Sequence, residues 1–140
     1  MDNWTFNSEN SFNSDRNTIS LVEPILLNLK NTFLIPDEKF YNIMIAVTEA
    51  VNNAVNHGNK LNHDKIVKFI VRANNDKMYI KVTDQGEGFD PNNIADCTDP
   101  ENLLKSSGRG VYIIKELMDE VDIDSSSKGT IMQMIYYLKK

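Results

Sequence analysis

The sequence predicts an α+β domain on three observations: strands that fall next to one another as hairpins, amphipathic helical stretches set apart from them, and a size suited to one core. The chain has 140 residues, 41% hydrophobic and 25% charged, so residues 1–140 are read as a single domain. A chain of roughly 150 residues buries about two-thirds of its unfolded surface, enough to fold without disulfides or a structural metal. Cys97 is the only cysteine, and no Cys/His cluster has zinc-like spacing, which excludes disulfide scaffolds and zinc ribbons. It is read as filling a small apolar gap. Met1-Asp2-Asn3-Trp4-Thr5 lacks the basic start and apolar stretch of a secretory signal, and no apolar run approaches the ~20 residues of a membrane span. A cytoplasmic location without membrane contact is expected. With 15 Lys and Arg against 20 Asp and Glu, the net charge of −5 argues against a general grip on nucleic acid. A phosphate ligand needs only a local nest of N–H groups and stays open.

The elements follow in order. A short first strand is expected around Trp4-Thr5-Phe6, and the Ser- and Asn-rich stretch from Asn7 to Asn17 reads as a loop. Ser14 or Asp15 is a candidate cap for a helix whose apolar stripe is Ile19, Leu21, Val22, Ile25, Leu26 and Leu29. Pro24 predicts a kink or a later start. Pro36-Asp37-Glu38 opens a second helix, with Pro in the first turn and two acids favoured by the dipole. Phe40, Met44, Val47, Val51 and Ala54 give it a core face, and His57-Gly58-Asn59 ends it. Val67, Phe69 and Val71 alternate with Lys68, Ile70 and Arg72, and Asn74-Asn75-Asp76 turns into a second alternating run from Met78 to Asp84. From Gly86 to Gly110 the chain is polar and long for an idle connection, which reads as a lid. Val111, Ile114, Leu117 and Met118 mark a third helix beginning after Gly110. Strands Val121 to Asp124 and Thr130 to Leu138 close the chain, joined by a turn ending in Lys128-Gly129.

Three places break these patterns. A helix turning about 100° per residue puts Glu49, Asn53 and Asn56 on one stripe opposite the core face, with Ile45 one turn earlier suggesting a cleft wall. Asn is a mediocre helix former, yet Asn52, Asn53 and Asn56 crowd this segment. A carboxylate and an amide one turn apart can share a hard cation, or Glu49 can accept a proton while Asn53 holds the metal; the spacing does not choose. Asp84 shares the inward face of its strand with Met78, Ile80 and Val82, and an inward carboxylate needs a donor. The other reading is a strand that ends at Thr83. Gly86 and Gly88 follow at once and permit close approach of a flat ligand, while Gly108-Arg109-Gly110 precedes a helix, where free N–H groups favour phosphate. Neither glycine pair matches a P-loop or dinucleotide fingerprint. His57 is expected to pack at the helix end, and His63 to sit in solvent.

Taken in order, Glu49-Ala50-Val51-Asn52-Asn53-Ala54-Val55-Asn56-His57-Gly58, then Asp84-Gln85-Gly86-Glu87-Gly88-Phe89, then Gly108-Arg109-Gly110 resemble the N, G1 and G2 boxes of the histidine-kinase-like ATPase superfamily. Within it, the short length and the closing Leu117-Met118-Asp119-Glu120-Val121 are similar to the bacterial anti-sigma factor serine kinases. The resemblance implies a Bergerat-type α/β sandwich, helices covering one face of a mixed, mainly antiparallel sheet, with ATP between helices and lid. It assigns Asp84 to the adenine amino group with Thr130 at the adenine edge, and Gly86 and Gly88 to the shape of that pocket. Asn53 would bind magnesium, Glu49 would act as general base toward a substrate serine, and the Gly108, Arg109 and Gly110 loop would wrap the phosphates. Lys105-Ser106-Ser107 stand where such kinases commonly carry an Arg-Ser pair, so Lys105 or Arg109 is assigned the basic phosphate contact. The implied partners are an anti-anti-sigma protein of STAS type and a sigma factor, with a possible homodimer. A nucleotide-gated partner switch with little kinase activity is the alternative function.

Overall fold

The computed structural model describes residues 3–87 and 106–139, with the side chains of 106–108 excepted. Among these residues, five strands form one sheet in the order β1-β2-β3-β5-β4, and every neighbouring pair is antiparallel. The expected two-layer α/β sandwich is present, with an antiparallel sheet among the described residues in place of a mixed one.

Strand β1 spans Phe6–Asn13 and pairs along its whole length with β2, Ile66–Ala73. The Ser- and Asn-rich stretch expected as a loop is therefore an edge strand. Its main-chain bonds to β2 and the half-buried Phe6 and Phe12, which share one face at the two-residue period, outweigh the weak strand propensity of Ser and Asn. Helix α1 spans Thr18–Thr32. Neither Ser14 nor Asp15 caps it: Ser14 is fully buried and accepts a bond from Asn59, and the residue before the helix is Asn17. Pro24 lies inside the helix without delaying its start; the carbonyl it leaves unpaired belongs to the solvent-exposed Ser20. The buried stripe is Val22, Leu26 and Leu29, while Leu21 is exposed.

Helix α2 spans Asp37–Asn52 after Pro36, as expected, and buries Phe40, Ile43, Ala46, Val47, Ala50 and Val51. It runs on into a π-helical turn, Asn53–Gly58, in which the Asn59 N–H reaches back to the Ala54 carbonyl. Hairpin β2–β3 (Lys77–Thr83), helix α3 (Ser106–Leu117) and hairpin β4 (Glu120–Ser126)–β5 (Gly129–Tyr137) complete the fold. Alternate residues of the central strands, Val67, Phe69, Val71, Met78, Ile80, Val82, Met132, Met134 and Tyr136, join the helices in one core. Helix α2 packs between α1 and α3. Among the described residues, no helix is long and apolar enough to cross a membrane.

Candidate functional site

Asp84 lies one residue past β3, yet its main chain continues the pairing with β5: its N–H donates to the Thr130 carbonyl at 3.0 Å. Both sequence readings thus hold in part, since the strand ends at Thr83 while Asp84 keeps its inward aim and is only 7% exposed. Its Oδ1 accepts the N–H groups of Gly86 at 2.9 Å and Thr130 at 3.1 Å. Burial pushes the carboxyl above the ordinary carboxylate range, against the opposing pull of the two N–H donors and of Lys65. Thr130 Oγ1 is bonded to Ser125 Oγ at 2.8 Å.

Three glycines make room around Asp84. A Cβ on Gly58 would run into its carboxylate, one on Gly129 into its carbonyl oxygen, and one on Gly86 into the Gly58 carbonyl. Gly129 also has φ +135, a conformation that side chains disfavour. Of these, only Gly86 stood out in the sequence. Gly58 looked like a helix stop and Gly129 like a turn residue, because both contacts cross between elements and leave no local signal.

At the other end of the π-turn, a Cβ on Gly110 would lie 3.1 Å from Asn53 Nδ2 and from Glu49 Oε2. The structure thus brings Glu49, Asn53 and Gly110 together, the two side chains half-buried. Asn56 and His57 point to solvent instead. The π-turn accommodates one more residue than an α-turn and so rotates Asn56 off the stripe on which an uninterrupted α-helix would place it, and His57 does not pack at the helix end. Ile45, expected on a partly buried cleft wall, is 46% exposed. Gly108, Arg109 and Gly110 are not a loop before the helix: α3 begins at Ser106 and includes them. Of the three, only Gly108 falls within the first turn of α3, where an N–H lacks an intrahelical acceptor whether or not the residue is glycine; the Arg109 and Gly110 N–H groups are used within the helix. Arg109 is exposed. Gly88, Lys105, Cys97 and most of the lid from 89 to 107 lie outside the described residues.

One segment, Glu49 to Gly58, therefore touches the buried carboxylate at one end and the start of α3 at the other, a span of roughly 10–13 Å at helical rise. That suits an elongated ligand with a hydrogen-bonding base at one end and negative charge at the other. Glu49 and Asn53 offer hard oxygen donors, which fit a magnesium ion that takes its remaining ligands from phosphates and water. Among the described residues no cluster of three or more His, Cys, Asp or Glu can hold a metal by itself.

The family model described as the histidine kinase-like ATPase domain matches residues 12–136. The chain belongs to that family. It is 38% identical over 103 residues to the serine-protein kinase RsbW of Staphylococcus epidermidis and 37% identical to that of Staphylococcus aureus, each match covering 69% of this chain and 64% of the relative. The chain thus spans just under two-thirds of the length of those relatives. Among solved structures, it resembles the RsbU and RsbW domains of a Mycobacterium tuberculosis protein, with a TM-score of 0.65 at 17% identity over 94% of this chain and 32% of that one. It also resembles the histidine kinase domain of a blue-light activated kinase from Erythrobacter litoralis, with a TM-score of 0.58 at 18% identity, covering 86% of this chain and 60% of the other. At those identities the structural likeness speaks to the fold alone.

Proposed function

We propose that this chain is an ATP-dependent protein serine kinase of the anti-sigma factor type, acting as one ATPase-like domain over residues 1–140. The observation that carries the reading is the buried Asp84, pinned through Oδ1 by two N–H groups and enclosed by glycines, at the far end of the helical segment that also bears Glu49 and Asn53. Similarity to the RsbW kinases supports it. Asp84 accepts the adenine amino group, Thr130 lies at the adenine edge, and Gly86 and Gly88 shape the base pocket. Asn53 would hold magnesium, which would supply charge to offset the phosphates, and the start of α3 from Gly108 to Gly110 lies beside them with the Gly108 N–H free to donate, with Lys105 or Arg109 as the basic contact.

In the transfer step the substrate serine oxygen bonds to the γ-phosphorus as the bridging oxygen–phosphorus bond breaks, releasing ADP. Glu49 takes the serine proton. The substrate is a STAS-type anti-anti-sigma protein, and a sigma factor competes for the kinase. The test is transfer of labelled γ-phosphate to a purified STAS-type protein. The Glu49→Gln variant should bind ATP and transfer at least ~100-fold more slowly, and undiminished transfer removes Glu49 from its role. Saturable ATP binding with no transfer by the unaltered chain favours a nucleotide-gated partner switch, the reading suggested by Lys105-Ser106-Ser107 in place of an Arg-Ser pair.

A further inference from the structure

Asn59 is 1% exposed and its side chain makes three hydrogen bonds to three separate parts of the chain. Nδ2 donates to Ser14 Oγ at 2.6 Å and to the Ile66 carbonyl at 3.1 Å, while Oδ1 accepts the Gln85 N–H at 2.7 Å. Because Ile66 offers an acceptor and Gln85 a donor, only one orientation of the amide satisfies both. Gln85 returns the link from its own side chain, Oε1 accepting the Ile66 N–H at 2.7 Å. The β2–β3 ladder has stopped by this point, its last pair being Lys68 with Thr83. Two side chains thus take over both main-chain groups of Ile66 and tie them to the peptide that follows Asp84.

The loop 84–86 is fixed from opposite sides. Thr130 on β5 holds Asp84 itself, through one bond from the Asp84 N–H and one to its Oδ1. Asn59 holds the next residue from the side of β2 and the β1–α1 junction. A buried amide costs free energy unless satisfied, and here it is satisfied by groups that gain nothing for the core but fix the direction of one loop.

We infer that Asn59 is a positioning residue for base recognition: through the Gln85 N–H, and anchored at Ser14 and Ile66, it holds loop 84–86 so that the Asp84 carboxylate faces the purine edge. This rests on the proposed reading of Asp84 as the contact to the adenine amino group. At 1% exposed, Asn59 is closed off from a ligand and acts through the loop.

The test is calorimetric titration of the full chain, with magnesium, using ATP and purine riboside triphosphate, which is ATP without its exocyclic amino group. The ratio of the two affinities isolates the Asp84 contact from the phosphate end. Asn59→Asp keeps an acceptor for Gln85 but loses both donated bonds, and should narrow the ratio by about tenfold, equivalent to roughly 1.4 kcal/mol. Ser14→Ala, which removes the hydroxyl that anchors Asn59 Nδ2 and leaves Asn59 itself in place, should narrow it in the same direction and decides the matter if Asn59→Asp does not fold. A merely structural Asn59 would lower the melting temperature and weaken both nucleotides equally. Unchanged ratios in the folded variants overturn the inference, whatever happens to stability. An unaltered protein with no preference for ATP, or Asp84→Asn with the full preference, overturns the adenine reading and this inference with it.

Discussion

Replacing Gly58 by alanine sets two physical effects of opposite sign against each other. Gly58 ends the π-turn with φ outside the left-handed region. On helix propensity alone the change should stabilise the protein by about 1 kcal/mol. The added methyl group would lie 2.8 Å from Asp84 Oδ1 and nearer still to Cγ and Oδ2, whereas ordinary contact begins near 3.4 Å. The carboxylate must retreat by about 1 Å to relieve that overlap. It has little freedom to do so, because its main chain is bonded to Thr130 and Oδ1 holds the N–H groups of Gly86 and Thr130. Weakening or losing those two bonds costs about 2–4 kcal/mol, so the net effect should be a destabilisation of about 1–3 kcal/mol. Urea denaturation measures it, and ATP titration of the same variant should show at least tenfold weaker binding, since the displaced group is the one proposed to meet the base. A Gly58→Ala protein as stable as the parent or more so, with ATP affinity intact, would refute the packing of Gly58 against Asp84.

Asp84→Asn should separate stability from binding: the amide oxygen still accepts from Gly86 and Thr130 and no charge is buried, so the fold should hold while ATP affinity drops at least tenfold. Burial raises the Asp84 carboxyl above its unfolded value, so the folded state binds more protons between the ordinary carboxylate range and that raised value. Stability should fall as pH rises through this window, and the slope should lessen in Asp84→Asn, as urea midpoints across acid pH would show. ATP affinity should rise over the same pH window, because the proposed contact needs the ionised acceptor. Gly110→Ala should leave stability within about 1 kcal/mol, as alanine suits a helix and the flexible Glu49 can give way. Phosphate transfer should nevertheless fall at least tenfold, because Glu49 and Asn53 are pushed by a few tenths of an ångström; unchanged transfer would separate Gly110 from the reacting end.

The hairpins and α2 were legible because each obeys a local rule. Alternation placed β2 and β3, and Pro36 followed by two acids marked the start of α2. The inward aim of Asp84 was also legible, since the two-residue period carries past Thr83. What stayed hidden depends on partners distant in sequence. Strand β1 is held by pairing with β2 across some sixty residues, so Ser8, Asn10 and Ser11 gave the composition of a loop. The π-turn has no residue signature, and with it went the outward turn of Asn56. Asn59 looked like the end of a helix, although its bonds reach Ser14, Ile66 and Gln85. Gly108 and Gly110 suggest a phosphate-binding segment before α3 rather than its first turns, whereas glycine only weakens a helix and does not forbid one near its start.

Calorimetric titration of the chain with ATP and magnesium, run beside Asp84→Asn, bears most directly on a nucleotide site built around that carboxylate. One saturable site in the unaltered protein, weakened at least tenfold by the substitution while the variant stays folded, is the predicted result. No binding at millimolar ATP, or equal binding by both proteins, would contradict it.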